Sequence, residues 1–543
     1  MTRTEIRNRD GLARTGIFTI DSTTIRTPAV LDTGSLFVSL DTMRKTNIPL
    51  AADAAFVRAY HVQNDDQPVL IHPLLDNPAQ SGDCVMIANW HTALDNPKNY
   101  VNWLVALKEK TPPDTTWYAP AAALPSNTHI LCYSGFDLFD FRAVDLKSAQ
   151  GFFCLPEGEF LQEPLGSGIC DCDGCRNGDL YHHNRQALVR ELALVSRFIG
   201  KGQLRELVES RCRFHAPHVA ILRHLDTRVD VTERYAPVAR GGTMRANSGE
   251  SLHRAEVVRF SERVLSRYLP PPADVAVLLP CSAKKPYSLS LSHRKFQRAI
   301  AGRAHELIIT SPLGVVPREL ETVYPAMHYD VPVTGYWDAE EIAIISSFLA
   351  RYLEKHRYRR IIAHLEGGAL KVAETAAEAC GISLEYSCRE HPAGDAALDT
   401  LNQALAGERR IKDDRLSGIC SYQFGANLDT RGFSVRGYFP ELFYSRNTVQ
   451  CFSLDTRGGM LRPTFDGWNL VPSGYRVSID DFVPEGDVLV PGITGADPAI
   501  RQGDEVLVIG ARAHATGRAA MSAHEMQRSK RGVAVRVRKI KKL

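Results

Sequence analysis

The side chains with the most chemical potential in this chain lie together in one segment, Pro280–His293, directly after an apolar run. The segment holds a thiol, two ammonium groups, four serine hydroxyls, a phenol and an imidazole. Cys281 offers a nucleophile, and the neighbouring cations Lys284 and Lys285 would favour its thiolate. His293 offers a proton donor. The sequence therefore predicts a reactive site here, the alternative being a serine-rich surface loop that only binds water.

A second group of residues has the spacing of a metal site. Three cysteines lie within six residues, and His183 follows eight residues later; the cysteines are Cys170, Cys172 and Cys175. Such short spacing needs a tight turn, which Gly174 permits, and three thiolates with one imidazole complete a tetrahedral zinc site. With four protein ligands the zinc would be structural, and His182 competes with His183 for the fourth position.

The reactive segment needs a scaffold, and the surrounding pattern supplies one. Strand-like and helix-like runs alternate, which predicts a small parallel sheet with helices on its faces, a Rossmann-like core. The predicted strands are 275–279, 307–310 and 360–364, and the predicted helices lie near 295–304, 342–354 and 369–380. Because parallel strands end at one edge, we expect their loops to form one pocket. That pocket would contain Cys281, Lys284, His293, Arg318, Glu319 and Glu366.

The flanking regions carry other patterns. Residues 1–228 alternate strand-like and helix-like runs, which indicates a parallel α/β architecture, either a barrel or a doubly wound sheet, and a pair of helices is expected over 186–198 and 204–214. The C-terminus predicts a strand with a basic face for RNA phosphates. Its candidate RNA-binding residues are Arg528, Lys530, Arg531, Arg536 and Arg538.

Composition limits the possible functions. The net charge of +3 over 543 residues makes any affinity for nucleic acid a local property. No run reaches the roughly 18 apolar residues of a membrane span, and the N-terminus lacks an apolar signal core, so we expect a soluble, cytoplasmic protein without membrane partners. Twelve cysteines in so long a chain do not indicate a disulfide scaffold.

The first region resembles the tRNA-guanine transglycosylase barrel. The resemblance rests on Gly135–Asp140, the three-cysteine cluster with His183, and Gly202–Glu209, in that order. It implies that Asp140 corresponds to the nucleophile that attacks the ribose. The segment that carries the family's other catalytic aspartate is not found, so the sequence predicts a trimmed TIM-like barrel retained for binding.

The segment 280–293, together with Ser311–Glu321, resembles the archaeosine synthase family. That resemblance implies action on tRNA that bears 7-cyano-7-deazaguanine at position fifteen of the D-loop. It also implies lysine or glutamine as the amino donor and, with lysine, a radical SAM partner enzyme. The expected chemistry is addition of the Cys281 thiolate to the nitrile carbon, followed by displacement by the donor amine; direct attack by the amine is the alternative.

Further residues receive expected roles from this chemistry. Arg318 would hold the donor carboxylate, whereas Lys284 or Lys285 could hold a phosphate. Glu366 is a candidate acid or base, a partner of the donor's ammonium group, or only an acceptor that caps the following helix. The complete set of candidate substrate-binding residues is Lys285, Tyr287, Ser288, Ser290, Ser292, Arg318 and Glu319.

Four domains are expected, and their assembly is expected to be a homodimer. They are a zinc-bearing trimmed barrel over 1–228, an α/β catalytic core over 229–395, a small α+β domain over 396–470 and, over 471–543, a β-barrel that resembles the PUA domain. Two other functions remain open: a transglycosylase that exchanges the base through Asp140, and a non-catalytic tRNA-binding protein with a structural zinc.

Overall fold

The computed structural model describes residues 2–32, 69–73, 83–165, 170–332, 335–412 and 414–543. The chain forms two compact units. The first contains residues 1–237, 485–502 and 520–536, and the second contains 238–484, 503–519 and 537–543. The predicted mixed α/β, multidomain architecture is confirmed, whereas the four domain boundaries remain predictions.

The first unit contains two sheets that precede the cysteine cluster, and a hairpin. Strands β1 to β3 form an antiparallel sheet, and β4 to β8 form a parallel sheet in the order β4-β8-β7-β6-β5. β9 and β10 pair as a hairpin. Closure of the parallel sheet into a trimmed barrel remains a prediction. The strands are β1 Thr2–Asp10, β2 Ala13–Ile20, β3 Thr23–Thr27, β4 Ala29–Leu31, β5 Val69–Ile71, β6 Cys84–Ile87, β7 Thr116–Ala119, β8 Leu138–Asp140, β9 Phe152–Leu155 and β10 Gly158–Leu161.

The helices of this unit pack apolar faces into one core. α7, the longest, ends at Gly202, whose φ of +66° suits a residue without a side chain. The pair α7 and α8 confirms the two helices expected after the cysteine cluster. The helices are α1 His91–Asp95, α2 Pro97–Lys110, α3 Thr128–Tyr133, α4 Arg142–Ala149, α5 Gln162–Leu165, α6 Asp173–Arg176, α7 Leu180–Lys201, α8 Leu204–Arg211, α9 Ala216–Asp226 and α10 Val229–Thr232.

The second unit is built on a five-stranded sheet in the order β14-β13-β12-β16-β17. Four strands are parallel, but β14 pairs antiparallel with β13. β11 pairs with β15 outside this sheet. Each predicted strand and helix of this region is present. The elements are β11 Met244–Arg245, α11 Ala255–Ser266, β12 Val275–Pro280, α12 Leu291–Ile300, β13 His305–Thr310, β14 Gly314–Pro317, β15 Tyr329–Asp330, α13 Ala339–Lys355, β16 Arg360–His364, α14 Gly367–Cys380, β17 Glu385–Cys388 and α15 Asp395–Ala404.

A smaller antiparallel sheet follows in the same unit. Its strand order is β18-β19-β20-β21, and α16 precedes it. The first two strands form a hairpin that is largely exposed, because β18 buries none of its residues fully. The elements are α16 Arg415–Phe424, β18 Phe433–Tyr438, β19 Glu441–Arg446, β20 Val449–Leu454, β21 Leu461–Pro463 and α17 Phe465–Trp468.

The C-terminal region contains the predicted short strands and, in addition, one short helix. β22 pairs parallel with β25, β25 pairs antiparallel with β26, and β23 pairs antiparallel with β27. The elements are β22 Arg476–Ile479, β23 Val488–Leu489, β24 Ile493–Ala496, β25 Glu505–Ile509, β26 Ala513–Ala519, α18 Ala523–Arg528 and β27 Val533–Lys542. Among the described residues, no helix has the length and apolar character that a membrane span requires.

Candidate active site and metal centre

The reactive cysteine lies at the carboxyl edge of the central sheet. Pro280 at the end of β12 pairs with Ile309 near the end of the parallel strand β13. Cys281 and Thr310 therefore leave the sheet side by side, and the Thr310 side chain hydrogen-bonds to the thiol. The Cys281 residue is partly exposed.

Lys285 and two tyrosines complete the surroundings of this thiol. The Lys285 Nζ lies 3.8 Å from the centre of the Tyr329 ring, a cation–π contact. The Tyr329 hydroxyl is 2.7 Å from that of Tyr287 and also bonds to the Thr310 hydroxyl. A chain of hydroxyl groups therefore runs beside the thiol and the amine.

Burial shifts the thiol and the amine toward their neutral forms. It raises the pKa of Cys281, although the Thr310 hydrogen bond and the Lys285 charge act in the opposite direction. Burial also lowers the pKa of Lys285, which Cys281 and Asp330 partly offset. Lys285 favours the thiolate as expected, but desolvation outweighs it, so the expected net lowering of the Cys281 pKa is wrong.

Lys284 differs from its neighbour. Its side chain is exposed, and it is not among the groups that shift the pKa of Cys281. The side chains of the two adjacent lysines therefore lie in different environments, and of the two Lys285 is the one next to the thiol.

His293 is held in its neutral form. It is buried, with ring centres 5.2 Å from those of both Tyr287 and Phe296. Its Nδ1 accepts a hydrogen bond of 2.8 Å from Arg318, because a guanidinium can only donate. Burial and the Arg318 charge lower its pKa to about 3. This geometry favours a positioning role for His293 over the expected role of proton donor.

The expected single pocket is wrong in one respect, because β14 reverses the chain. Antiparallel pairing of Leu307 with Pro317 returns Arg318 and Glu319 toward the start of β13. Glu319 there accepts hydrogen bonds from Tyr268, at 2.8 Å, and lies 3.2 Å from His305. Glu319 therefore lies near the amino edge of the sheet, opposite the edge that carries Cys281.

Arg318 and Glu319 are both engaged in buried contacts. Arg318 donates to Glu306 at 2.9 Å and to Glu321 at 3.0 Å. Burial acts to raise the pKa of Glu319, but His305 and the hydrogen bonds outweigh it and lower the value to about 2. Both charges are thus compensated inside the protein, which favours a role in positioning over one in binding a substrate.

The serines of the segment differ in the groups that they contact. Ser290 caps α12, since its Oγ accepts from the His293 backbone amide at 3.2 Å, and it lies 3.3 Å from the Ser292 hydroxyl. The Ser288 backbone amide donates a hydrogen bond to the Glu321 carboxylate at 2.8 Å. Ser288 also lines a cavity. Ser288 and Ser290 are thus engaged with other parts of the fold, whereas the Ser282 hydroxyl donates within the segment, to the Lys284 carbonyl oxygen at 2.9 Å.

Glu366 precedes α14 at the next strand end. Its side chain makes no capping bond to that helix and instead accepts from the His391 backbone amide at 3.0 Å. The capping alternative is therefore wrong, and the exposed carboxylate remains a candidate for binding.

Asp140 is buried at the end of β8 with its oxygens occupied. It accepts hydrogen bonds from the Tyr118 hydroxyl at 2.7 Å, the Ala121 amide at 3.1 Å and the Arg142 amide at 3.0 Å. A carboxylate with these donors is stabilised in place, which favours a structural role over nucleophilic attack.

The three cysteines and His183 converge as predicted. Their ligand atoms all lie within 4.8 Å of one another, which fits one metal ion. The His183 Nδ1 is 3.3 Å from the Cys172 Sγ and 3.2 Å from the Cys175 Sγ. His182 is not the fourth ligand, because its ring lies 2.9 Å from the Gln186 side chain and outside the cluster.

Gly174 makes this convergence possible. A Cβ atom at this position would lie 2.4 Å from the backbone nitrogen of His183 and 2.9 Å from the Asp179 carbonyl oxygen. Both neighbours are backbone atoms and cannot rotate away, so the loop requires glycine here.

The basic C-terminal residues also divide into two groups. The Lys530 ammonium lies 3.0 Å from Asp83, Arg531 lies 3.9 Å from the same carboxylate, and Arg528 donates to the Thr111 carbonyl oxygen. Arg538 donates to Glu505 at 2.7 Å. Arg536 is exposed on β27, as are Lys539, Lys541 and Lys542. The exposed cations of β27 thus fit a phosphate-binding role better than those that precede it.

Sequence reasoning did not assign roles to Thr310 and Tyr329, although both adjoin the thiol. A signal was present for Thr310, because it is the last residue of a predicted strand beside β12. Tyr329 lies 48 residues beyond Cys281 in the sequence, and only folding brings it to the thiol.

The fold and these two sites define a class: a multidomain α/β protein with a Cys/His cluster and a C-terminal module of short strands. A family model for the PUA domain matches residues 476–541, and one described as a domain of unknown function (DUF5591) matches residues 257–405. The second match spans the sheet that carries Cys281.

Full-length relatives identify the family. The archaeosine synthase subunit alpha of Methanosarcina acetivorans is 38% identical over 86% of this chain and 81% of its own. The archaeosine synthase of Haloferax volcanii is 34% identical over 99% of both chains. The chain belongs to the archaeosine synthase family. It is also similar to the tRNA-guanine(15) transglycosylase of Methanobrevibacter smithii, at 25% identity over 75% of this chain and 63% of the relative.

Proposed function

We propose that this protein is an enzyme of archaeosine formation that acts on tRNA bearing 7-cyano-7-deazaguanine at position fifteen. Its membership of the archaeosine synthase family supports this function most directly. The reaction is addition of an amino donor, lysine or glutamine, to the nitrile, on the way to the formamidine of archaeosine.

The pair formed by Cys281 and Lys285 suits the first step. The thiol passes its proton to the neutral Lys285 amine, whose lowered pKa leaves a fraction able to accept it. The thiolate then bonds to the nitrile carbon, and the proton moves from Lys285 to the nitrile nitrogen. The product is a thioimidate, and no oxidant or reductant is consumed.

The donor completes the exchange. Its amine attacks the thioimidate carbon, the carbon–sulfur bond breaks, and the Cys281 thiol returns with a proton. The linked hydroxyl groups of Tyr287, Tyr329 and Thr310 supply hydrogen bonds to the reacting groups in this step. Burial raises the pKa of both tyrosines, so they keep their protons at neutral pH. A lysine adduct would then need a radical SAM partner to release the amidine.

The metal centre has a separate, structural role in this proposal. Cys170, Cys172, Cys175 and His183 would hold zinc through three thiolates and one imidazole, leaving no position for a substrate. The tRNA would be recognised through the PUA domain, and the assembly would be a cytoplasmic homodimer of four-domain chains.

The test is incubation of purified protein with nitrile-bearing tRNA and either lysine or glutamine, followed by mass spectrometry of the nucleosides. We expect an adduct or amidine, and Cys281→Ser should lower its formation by about 100-fold or more, the scale of a lost covalent catalyst. Cys380→Ser is the control, because this cysteine lies on α14. Normal turnover by Cys281→Ser would refute the covalent route. With the wild-type protein, loss of the modified base would indicate transglycosylation, and an unchanged set of nucleosides would indicate a protein that only binds tRNA.

A further inference from the structure

A large open cavity lies beside the loop that carries Cys281. Its volume is about 530 Å³, within the range of sites for small organic ligands. The loop contributes Ser288 and Leu289 to one wall, and the hairpin formed by β18 and β19 contributes the other. The hairpin residues that line it are Phe433, Val435, Phe439, Leu442 and Tyr444.

The hairpin presents one apolar face to this cavity. Val435 pairs with Tyr444, and Gly437 pairs with Leu442, so side chains at these alternate positions share a face. Ser434, which pairs with Ser445, lies on the opposite face. Strand alternation therefore separates a cavity-lining face from a face turned away from it.

The apolar face is incompletely covered by the protein. Val435 is 56% exposed although it lines the cavity. Gly437 places no side chain at the centre of the hairpin, and a Cβ there would lie 2.2 Å from the Glu441 carbonyl oxygen. An exposed apolar wall beside an open cavity is a feature of ligand-binding surfaces.

Basic side chains adjoin this wall. The Arg415 guanidinium lies 4.4 Å from the centre of the Phe439 ring but also donates to Glu321 at 3.1 Å, whereas Lys412 is exposed at the rim. Arg446 lies above the Phe433 ring at 5.8 Å. The acidic lining residue Asp414 is engaged, because it accepts from the Ser417 amide at 3.2 Å and from the Thr430 hydroxyl at 2.9 Å. The cavity thus combines aromatic surface with positive charge.

We propose that this cavity binds a nucleotide of the substrate RNA that neighbours the modified one. Aromatic side chains stack on bases and cations bind phosphates, which is the combination used for unpaired RNA. The cavity and Cys281 share one loop, so a nucleotide bound here would contact the segment that also carries the thiol. The identity of the RNA as tRNA rests on the proposed function.

The test uses a matched pair of charge substitutions on the full-length protein. Val435→Glu places a negative charge in the cavity, whereas Ser434→Glu places the same charge on the other face of the same strand. The probe is an unmodified tRNA transcript, and its dissociation constant is measured by fluorescence anisotropy. We expect Val435→Glu to weaken binding by about tenfold, consistent with the loss of one stacked base, and Ser434→Glu by less than about twofold.

Equal weakening by both variants would show only long-range repulsion and would overturn the proposal, as would no weakening by either. Binding of unmodified tRNA does not depend on chemistry, so this result stands apart from failure of the modification assay. In a second measurement, a photoreactive p-benzoylphenylalanine replaces Val435. A crosslink to RNA supports the proposal, and crosslinks to protein alone overturn it.

Discussion

At the scale of single residues, Lys285 and Lys284 are neighbours in sequence with different consequences. Lys285 opposes the burial that raises the pKa of Cys281, and Lys284 is exposed. Removing the Lys285 charge should therefore raise the thiol pKa further, because desolvation would act with less opposition.

We expect Lys285→Met to move the alkylation of Cys281 by iodoacetamide to higher pH than in the wild type, since only the thiolate reacts. The rate is measured against pH by mass spectrometry of the labelled peptide. Lys284→Met is the matched control and should leave the profile unchanged. A profile for Lys285→Met that coincides with the wild type would contradict the pairing of this amine with the thiol.

Arg318 provides a second residue-scale test, because binding and structural roles predict different results. Its guanidinium neutralises the buried carboxylates of Glu306 and Glu321. Arg318→Met leaves both charges without this partner and should lower the free energy of unfolding by about 3–5 kcal/mol. Urea denaturation measures the change, and Arg294→Met, at an exposed site, is the control. Unchanged stability with a weaker affinity for the donor would instead support the binding role.

At the scale of structural elements, the metal loop depends on the tight approach of Gly174 to the start of α7. Gly174→Ala should displace His183 from the cluster, because the new Cβ would meet its backbone nitrogen. We expect the metal content per chain to fall below about half and the melting temperature to fall with it, since a ligand that binds the folded state stabilises that state.

Metal analysis and thermal unfolding measure these effects. Gly200→Ala is the control, because Gly200 lies within α7, the helix that carries His183, and a Cβ there meets nothing within 4 Å. A full complement of metal in Gly174→Ala would show that the cluster does not need this turn.

One strand of the central sheet, β14, changes which residues lie near Cys281. The sequence indicates the parallel strands of this sheet through their apolar runs, but the antiparallel strand β14 contributes only two adjacent valines between a glycine and a proline, a run too short to show its direction. Its reversal carries Glu319 away from the edge where Cys281 lies. The pocket expected from strand ends alone therefore loses Glu319 and gains Thr310 and Tyr329, while Arg318 still contacts His293.

At the scale of the whole molecule, the net charge of +3 is too small to drive RNA binding, so local charge has to do so. Exposed cations of β27 are available for phosphates, whereas Lys530 is already paired with Asp83 at 3.0 Å. The double variant Arg536→Ala and Lys539→Ala should lower the slope of log Kd against log salt by about 1 to 2.

Titration of tRNA binding at several salt concentrations measures this slope. Lys530→Ala is the comparison and should leave the slope nearly unchanged, because its charge is compensated within the protein. An equal loss of slope in both variants would contradict the division of the basic residues into paired and exposed groups.

The strands and helices around Cys281, the cysteine cluster and the C-terminal module could be predicted from the sequence. These depend on short-range patterns: apolar periodicity, ligand spacing within 14 residues and glycine turns. Which charges are available became clear only from the folded chain. Burial raises the pKa of Cys281, Arg318 is neutralised by two glutamates, and Asp140 is held by three donors. The cause is physical: desolvation and partner choice depend on residues distant in sequence, and no local pattern records them.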